Sequence, residues 1–195
     1  MKVKYFLSMA VIFIAISCGS NQTAENTQNS DSSQSKTDSN SSAKDTINTI
    51  SDQDAMFAKD AANIGMMEIA LGKVAELNSS RKDVKDFGAM MIKDHTAAAD
   101  ELQRIADARR ITLPVALSSE DQSKVDAMKA KTGKNFDKSY LDMMVDGHKK
   151  AADEFENEIN KGSNADLRGF ATKTLDVIHS HLAAAQKCQQ MGKGN

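Results

Sequence analysis

One stretch of this chain occurs twice. Met90-Met91-Ile92-Lys93-Asp94-His95-Thr96-Ala97-Ala98-Ala99-Asp100-Glu101-Leu102 returns as Met143-Met144-Val145-Asp146-Gly147-His148-Lys149-Lys150-Ala151-Ala152-Asp153-Glu154-Phe155, and Phe87 and Tyr140 carry the likeness one turn upstream. In each copy the histidine follows the second Met by four residues and precedes an apolar residue by seven. Steps of four and seven return to one face of an α-helix, so each imidazole falls on the stripe that a helix buries. A chain patterned this way has to pack helices, and it has to take its histidines inside.

The rest of the composition agrees. Ala, Leu, Lys, Asp, Glu and Met dominate, aromatics are only 5%, and there is no Trp and one Pro, so runs that read as strands are missing. Ser51 or Asp52 can cap a first helix reaching about Leu77, and Ser80 with Asp83 a second that fades near Arg109. Ser119 with Gln122 opens a short helix stopped by Gly133. A third long helix runs from about Asn135 to Gly162, and Ser163 with Asp166 opens a last one ending near Gly192. This predicts an all-α four-helix bundle over residues 51–192, with one short extra helix in the connection between the second and third long helices. Residues 110–134 can serve as a crossover or pack across one end; the sequence leaves both open.

The N-terminus reads differently. A basic start at Lys2 and Lys4, an apolar run from Tyr5 to Ile16 and small residues before Cys18 resemble a bacterial lipoprotein signal over residues 1–17, with Cys18 as the lipidated residue. An ordinary export signal with an incidental cysteine is the alternative. Residues 18–50 hold no aromatic residue and are crowded with Ser, Asn, Thr, Gln and Asp, the composition of a disordered tether. Its reach is on the order of 30 Å. The expected location is the cell envelope, lipid-anchored at the outer membrane and facing the periplasm, with the membrane as partner. The formal charge is −2 with acidic and basic residues interleaved, so no nucleic-acid partner is expected. With Cys18 acylated, Cys188 has no intrachain disulfide partner.

Each long apolar stripe carries one ionisable residue near its middle: Glu68, His95, His148 and His181. Counted from the turns that join them, Glu68 and His95 differ in height by about 3 Å and His148 and His181 by roughly 5 Å. Three imidazoles and a carboxylate at one level suffice to ligate a transition-metal ion such as Cu, Zn or Fe. Met91 and Met144, one turn away, are auxiliary candidates favouring Cu(I), and Asp94 and Asp146 are candidates to hold the rings. A second reading needs no ion: stripe histidines are commonly core residues with satisfied nitrogens, methionine pairs fill gaps, and Glu68 with a histidine makes a structural polar network. His179 falls off the stripe, on the solvated side. Cys188 reads as a small buried hydrophobe or a soft ligand.

Phe57 with Ala61-Ala62, Met67-Glu68, Val84-x-x-Phe87, Met91-x-x-Asp94-His95, Glu101-Leu102, Leu113-Pro114, Phe136-Asp137-x-x-Tyr140, Met144-x-x-x-His148, Phe170-Ala171 and His181-Leu182 together resemble the domain of unknown function 4142 family. The resemblance spans about residues 51 to 190. It implies an exported bacterial protein with a ferritin-like four-helix bundle, and no settled activity. Ferritin-like di-iron centres use about four carboxylates and Glu-x-x-His pairs. Here no Glu-x-x-His pair occurs and only Glu68 supplies a carboxylate on a stripe, so a redox enzyme is the weakest expectation. The leading one is a non-enzymatic, metal-binding envelope bundle in metal handling or envelope stress, and the alternative is a structural or interaction module with a metal-free network.

Overall fold

The computed structural model describes residues 50–193. The expected signal, Cys18 and most of the tether lie outside them. Five helices follow in order: α1 Asp52–Asn78, α2 Lys82–Arg109, α3 Ser119–Lys129, α4 Gly133–Lys161 and α5 Ala165–Lys193. Among the described residues there is no strand.

The helix ends explain their own positions. Ser51 accepts from the Asp54 amide, and Asp52 and Asp54 meet the positive end of the α1 dipole. The other starts differ from what the sequence suggests. Ser80 is exposed and α2 begins after Arg81 with no side-chain cap, while Ser79, which ends α1, accepts from the Arg81 amide and donates to Asp137 of α4. Ser118, rather than Ser119, caps α3, and Asn164, rather than Ser163, accepts from the Asp166 and Leu167 amides. Ser163 is committed elsewhere, its amide and hydroxyl both donating to Asp54. Gly133, expected to stop α3, opens α4 with φ +56°.

These links also fix the topology. At one end the start of α1 meets the α4–α5 turn through Asp54, and Arg109 at the end of α2 pairs with Asp166 at 2.6 Å. At the other end Ser79 reaches Asp137, and Arg81 donates to the Cys188 carbonyl at 2.7 Å. Helices α1 and α5 therefore run one way, and α2 and α4 the other. Packing joins α1 to α2, α2 to α5, α5 to α4 and α4 to α1, which leaves α2 and α4 on a diagonal. Because α2 ends where α4 ends, the connection between them must travel the length of the bundle. It is a crossover, the single long connection of ferritin-like bundles. Helix α3 lies along α1: Asn63 donates to Asp121, Asn78 to the carbonyls of Lys129 and Lys131, and Val125 and Met128 are buried beneath.

Helices α1 and α2 touch backbone to backbone. A Cβ at Gly72 would stand 2.8 Å from the Gly88 carbonyl oxygen, and one at Gly88 2.9 Å from that of Gly72. Glycine at both positions permits the approach.

The interior consists of two apolar clusters. One, toward the Ser79–Asp137 end, contains Leu71, Phe87, Met91, Tyr140, Met144 and Cys188. The other, toward the Asp54 end, contains Phe57, Leu102, Phe155, Phe170 and Ile178. Each such side chain contributes roughly 1.5–3 kcal/mol by its burial. On every long helix the residue at the division between the clusters is the ionisable one.

Candidate metal centre

Glu68, His95, His148 and His181 are all buried, at 4%, 6%, 0% and 1% exposure, so one polar layer interrupts an otherwise apolar core. A nitrogen from each of the three imidazoles lies within 4.8 Å of the others. The ring centroids are 5.1 to 6.1 Å apart. Glu68 flanks this trio: its Oε2 is 3.0 Å from His95 Nε2 and its Oε1 3.5 Å from His148 Nδ1.

Hydrogen bonding assigns the tautomers. His148 Nδ1 lies 2.8 Å from the Met144 carbonyl oxygen, which can only accept, so the His148 proton is on Nδ1 and its Nε2 carries a lone pair. His181 Nε2 donates to Asp94 Oδ2 at 3.0 Å. In a neutral His181 that leaves Nδ1 as a second lone pair, and it faces His148 Nε2 across 3.4 Å. Two lone pairs at that distance repel unless a cation or a proton stands between them. Nitrogens about 2.0–2.1 Å from a tetrahedral ion are about 3.4 Å apart, the spacing seen here. His95 is held more loosely. Its Nε2 and Glu68 Oε2 are close, yet neither has a hydrogen-bond partner. With the trio spread as far as 4.8 Å, His95 would have to close by about 1 Å onto an ion seated between the other two.

Burial sets the charge states. It pushes the Glu68 carboxyl up to about 8. It also pulls His95 down to about 3 and His148 to about 4, helped in both by the neighbouring imidazole of His181. Both histidines are thus in the neutral form that ligates metals.

The expected supporting residues separate. Asp94 does hold a ring, but that of His181 on α5 rather than its sequence neighbour His95. Asp146 is exposed and bonds to no imidazole: two residues before His148 it lies about 200° round the helix. Met91 and Met144 are buried in the apolar cluster beside the site, and Met144 serves His148 through its backbone carbonyl. His179 is exposed. Cys188 is a free thiol in the apolar cluster, its burial pushing it up to about 11.

Two features gave no sequence signal. One is the use of a backbone carbonyl to fix His148. The other is a buried carboxyl pair at the far end of the bundle, where Glu158, 1% exposed, sits against Asp54. Hydrogen bonds from Ser51, Ser163 and Asn164 hold Asp54 well below the usual carboxylate range against its desolvation, while burial and Asp54 push Glu158 up to about 7.

Fold and site together define a crossover four-helix bundle with a buried three-histidine cluster. The chain belongs to the family described as a domain of unknown function (DUF4142), whose model matches residues 39–188. No curated protein and no solved structure matches it.

Proposed function

We propose that this protein is a lipid-anchored envelope bundle that binds one transition-metal ion, Cu, Zn or Fe, through His95, His148 and His181, with Glu68 completing the set. Its role is metal handling or the envelope stress response rather than catalysis. The observation that carries the reading is the His148 Nε2–His181 Nδ1 pair, two nitrogens facing each other at 3.4 Å while each ring donates its proton outward. A single carboxylate beside three imidazoles suits a mononuclear ion and lacks the carboxylates of a di-iron centre. The lipobox-like Ala15-Ile16-Ser17-Cys18 and the polar stretch after it support the anchor.

Titration of the purified protein with each metal, followed by calorimetry and melting, tests the site. At a hundred times the dissociation constant a ligand adds about 2.7 kcal/mol, here a rise of roughly 8 °C in Tm. The rise should vanish in the double variant His95→Ala/His148→Ala; unchanged affinity there removes the claim. Labelling with a palmitate analogue, lost in Cys18→Ala, tests the anchor.

The Asp94–His181 contact favours a second reading. A doubly protonated His181, paired with Asp94, would place its own proton between the facing nitrogens, making the layer a metal-free network that fixes helix register. That protein would show no metal-dependent rise in Tm and no effect of chelators.

A further inference from the structure

Gly65 lies in the interior of α1, thirteen residues past its start, and is buried. Glycine there costs about 1 kcal/mol relative to alanine. Crowding explains Gly72 and Gly88 but not this residue, since a Cβ built at Gly65 meets nothing within 4 Å. The space it faces is a cavity of about 30 Å³. Its walls are mostly apolar, with Ala61, Ala98, Ala151 and Phe170 beside larger aliphatic side chains and the single hydroxyl of Thr174. At its polar end are Glu68 and His95, whose Oε2 and Nε2 are buried without hydrogen-bond partners. The cavity thus adjoins the least constrained imidazole of the cluster.

Its chemistry is selective. A buried water ordinarily makes about three hydrogen bonds, and the lining offers two buried polar atoms without a partner, Glu68 Oε2 and His95 Nε2, both at one end. A charged ligand would be desolvated against alanine methyls with no counter-charge. What suits the space is a neutral molecule of about two heavy atoms, with its body against the alanines and one end toward Glu68 and His95.

We propose that this cavity is a binding site for a small neutral diatomic molecule of the dioxygen and nitric oxide class, delivered beside the ion that the histidines hold. The second half rests on the metal reading above; the cavity itself does not, and the experiment separates them. Metal-free protein is equilibrated with xenon and followed by methyl NMR of the alanines. The expected result is a saturable shift at Ala61, Ala98 and Ala151, abolished in Gly65→Leu and in Ala98→Leu, which fill the space from facing helices. Protein loaded with Fe(II) is then exposed to nitric oxide and followed by electron paramagnetic resonance. An iron–nitrosyl signal is expected, weakened at least tenfold in either filled variant while iron stoichiometry is unchanged. No xenon shift, or an ordered water that xenon does not displace, overturns the cavity. A nitrosyl signal as strong in both filled variants as in the parent overturns its link to the ion. Xenon binding in a protein that retains no iron, copper or zinc overturns the metal reading and leaves the cavity standing.

Discussion

On α2, His95 faces Glu68 across the seam with α1, and neither of the two closest atoms is hydrogen-bonded. On α4, the equivalent His148 donates to the Met144 carbonyl one turn back and turns its other nitrogen toward His181. The surrounding sequences agree at seven of thirteen positions, and the two helices stand diagonally across the bundle, running in the same direction. Local sequence brought both rings to the same stripe and depth; the neighbouring helices decided which ring is fixed. Helix α4 presents a ring already oriented, whereas α2 presents one that an ion or a guest must recruit. The largest expected effects follow. His148→Ala should weaken metal binding by more than about a hundredfold, since each ligand of a four-ligand site carries roughly 3 kcal/mol. His95→Ala should weaken it less. Calorimetric titration of the two single variants side by side checks the order, and a reversed order breaks the comparison.

The copies also diverge beyond the histidines. Three residues after Leu102 stands Ile105, half-buried and apolar; three after Phe155 stands Glu158, buried against Asp54. With its folded value raised to about 7 from 4.5, Glu158 keeps its proton in the folded protein where the unfolded chain has lost it. Its contribution is fully present below about pH 4.5 and disappears as the pH rises toward 7. Between pH 5 and pH 8 the parent should therefore lose on the order of 2–3 kcal/mol that Glu158→Gln does not lose. Urea midpoints across that range read the difference, and parallel pH profiles would show that the α4 carboxyl is no more sensitive than the α2 isoleucine it replaces. Asp54, held low, opposes this only in acid, where its share is lost as the pH falls below the ordinary range near 3.8.

The aspartates sharpen the comparison further. Gly147 stands in α4 where Asp94 stands in α2, and Asp146 is one residue too early to face the core. Asp94→Asn should reduce metal affinity by about 10–100-fold by loosening His181, whereas Asp146→Asn should leave it unchanged. Equal effects would mean that the Asp94–His181 bond positions nothing.

What could be read in advance follows the same division. The four stripes were legible because a period of 3.6 recurs over many residues, and with them came the bundle, the extra helix and the four polar positions at one level. The crossover was not, because residues 110–132 carry no pattern that depends on which end they leave from. Cap residues were misplaced by one wherever Ser or Asn neighbours compete: Ser163 was available to α5 in sequence, but Asp54, more than a hundred residues earlier, takes it in space. The partners of the imidazoles were illegible for the same reason, since Asp94 serves a ring 87 positions away. Gly65 gave no sign either; in sequence it is only a weak helix former, and its meaning lies in what is missing around it.

The smallest effect concerns the metal-free protein and tests whether the polar layer is built for stability at all. Glu68 is a buried carboxyl with an unpaired oxygen beside an unpaired imidazole nitrogen, and nothing in the apo protein offsets its desolvation. Replacing a strained polar group by an apolar one of similar volume is often neutral or favourable. Glu68→Met should thus raise stability by about 1 kcal/mol in the presence of a chelator. His181 holds the matching place on α5, diagonal to α1, but it satisfies Asp94 and faces His148. There the same change, His181→Met, should lower stability by a similar amount. Opposite signs would mean that the Asp94–His181 side of the layer supports the fold, while the Glu68–His95 side is maintained against stability for something it binds. If both changes stabilise, neither side is needed for the fold. If both destabilise, the layer is a register-fixing network, and the contrast between the two copies has no functional content.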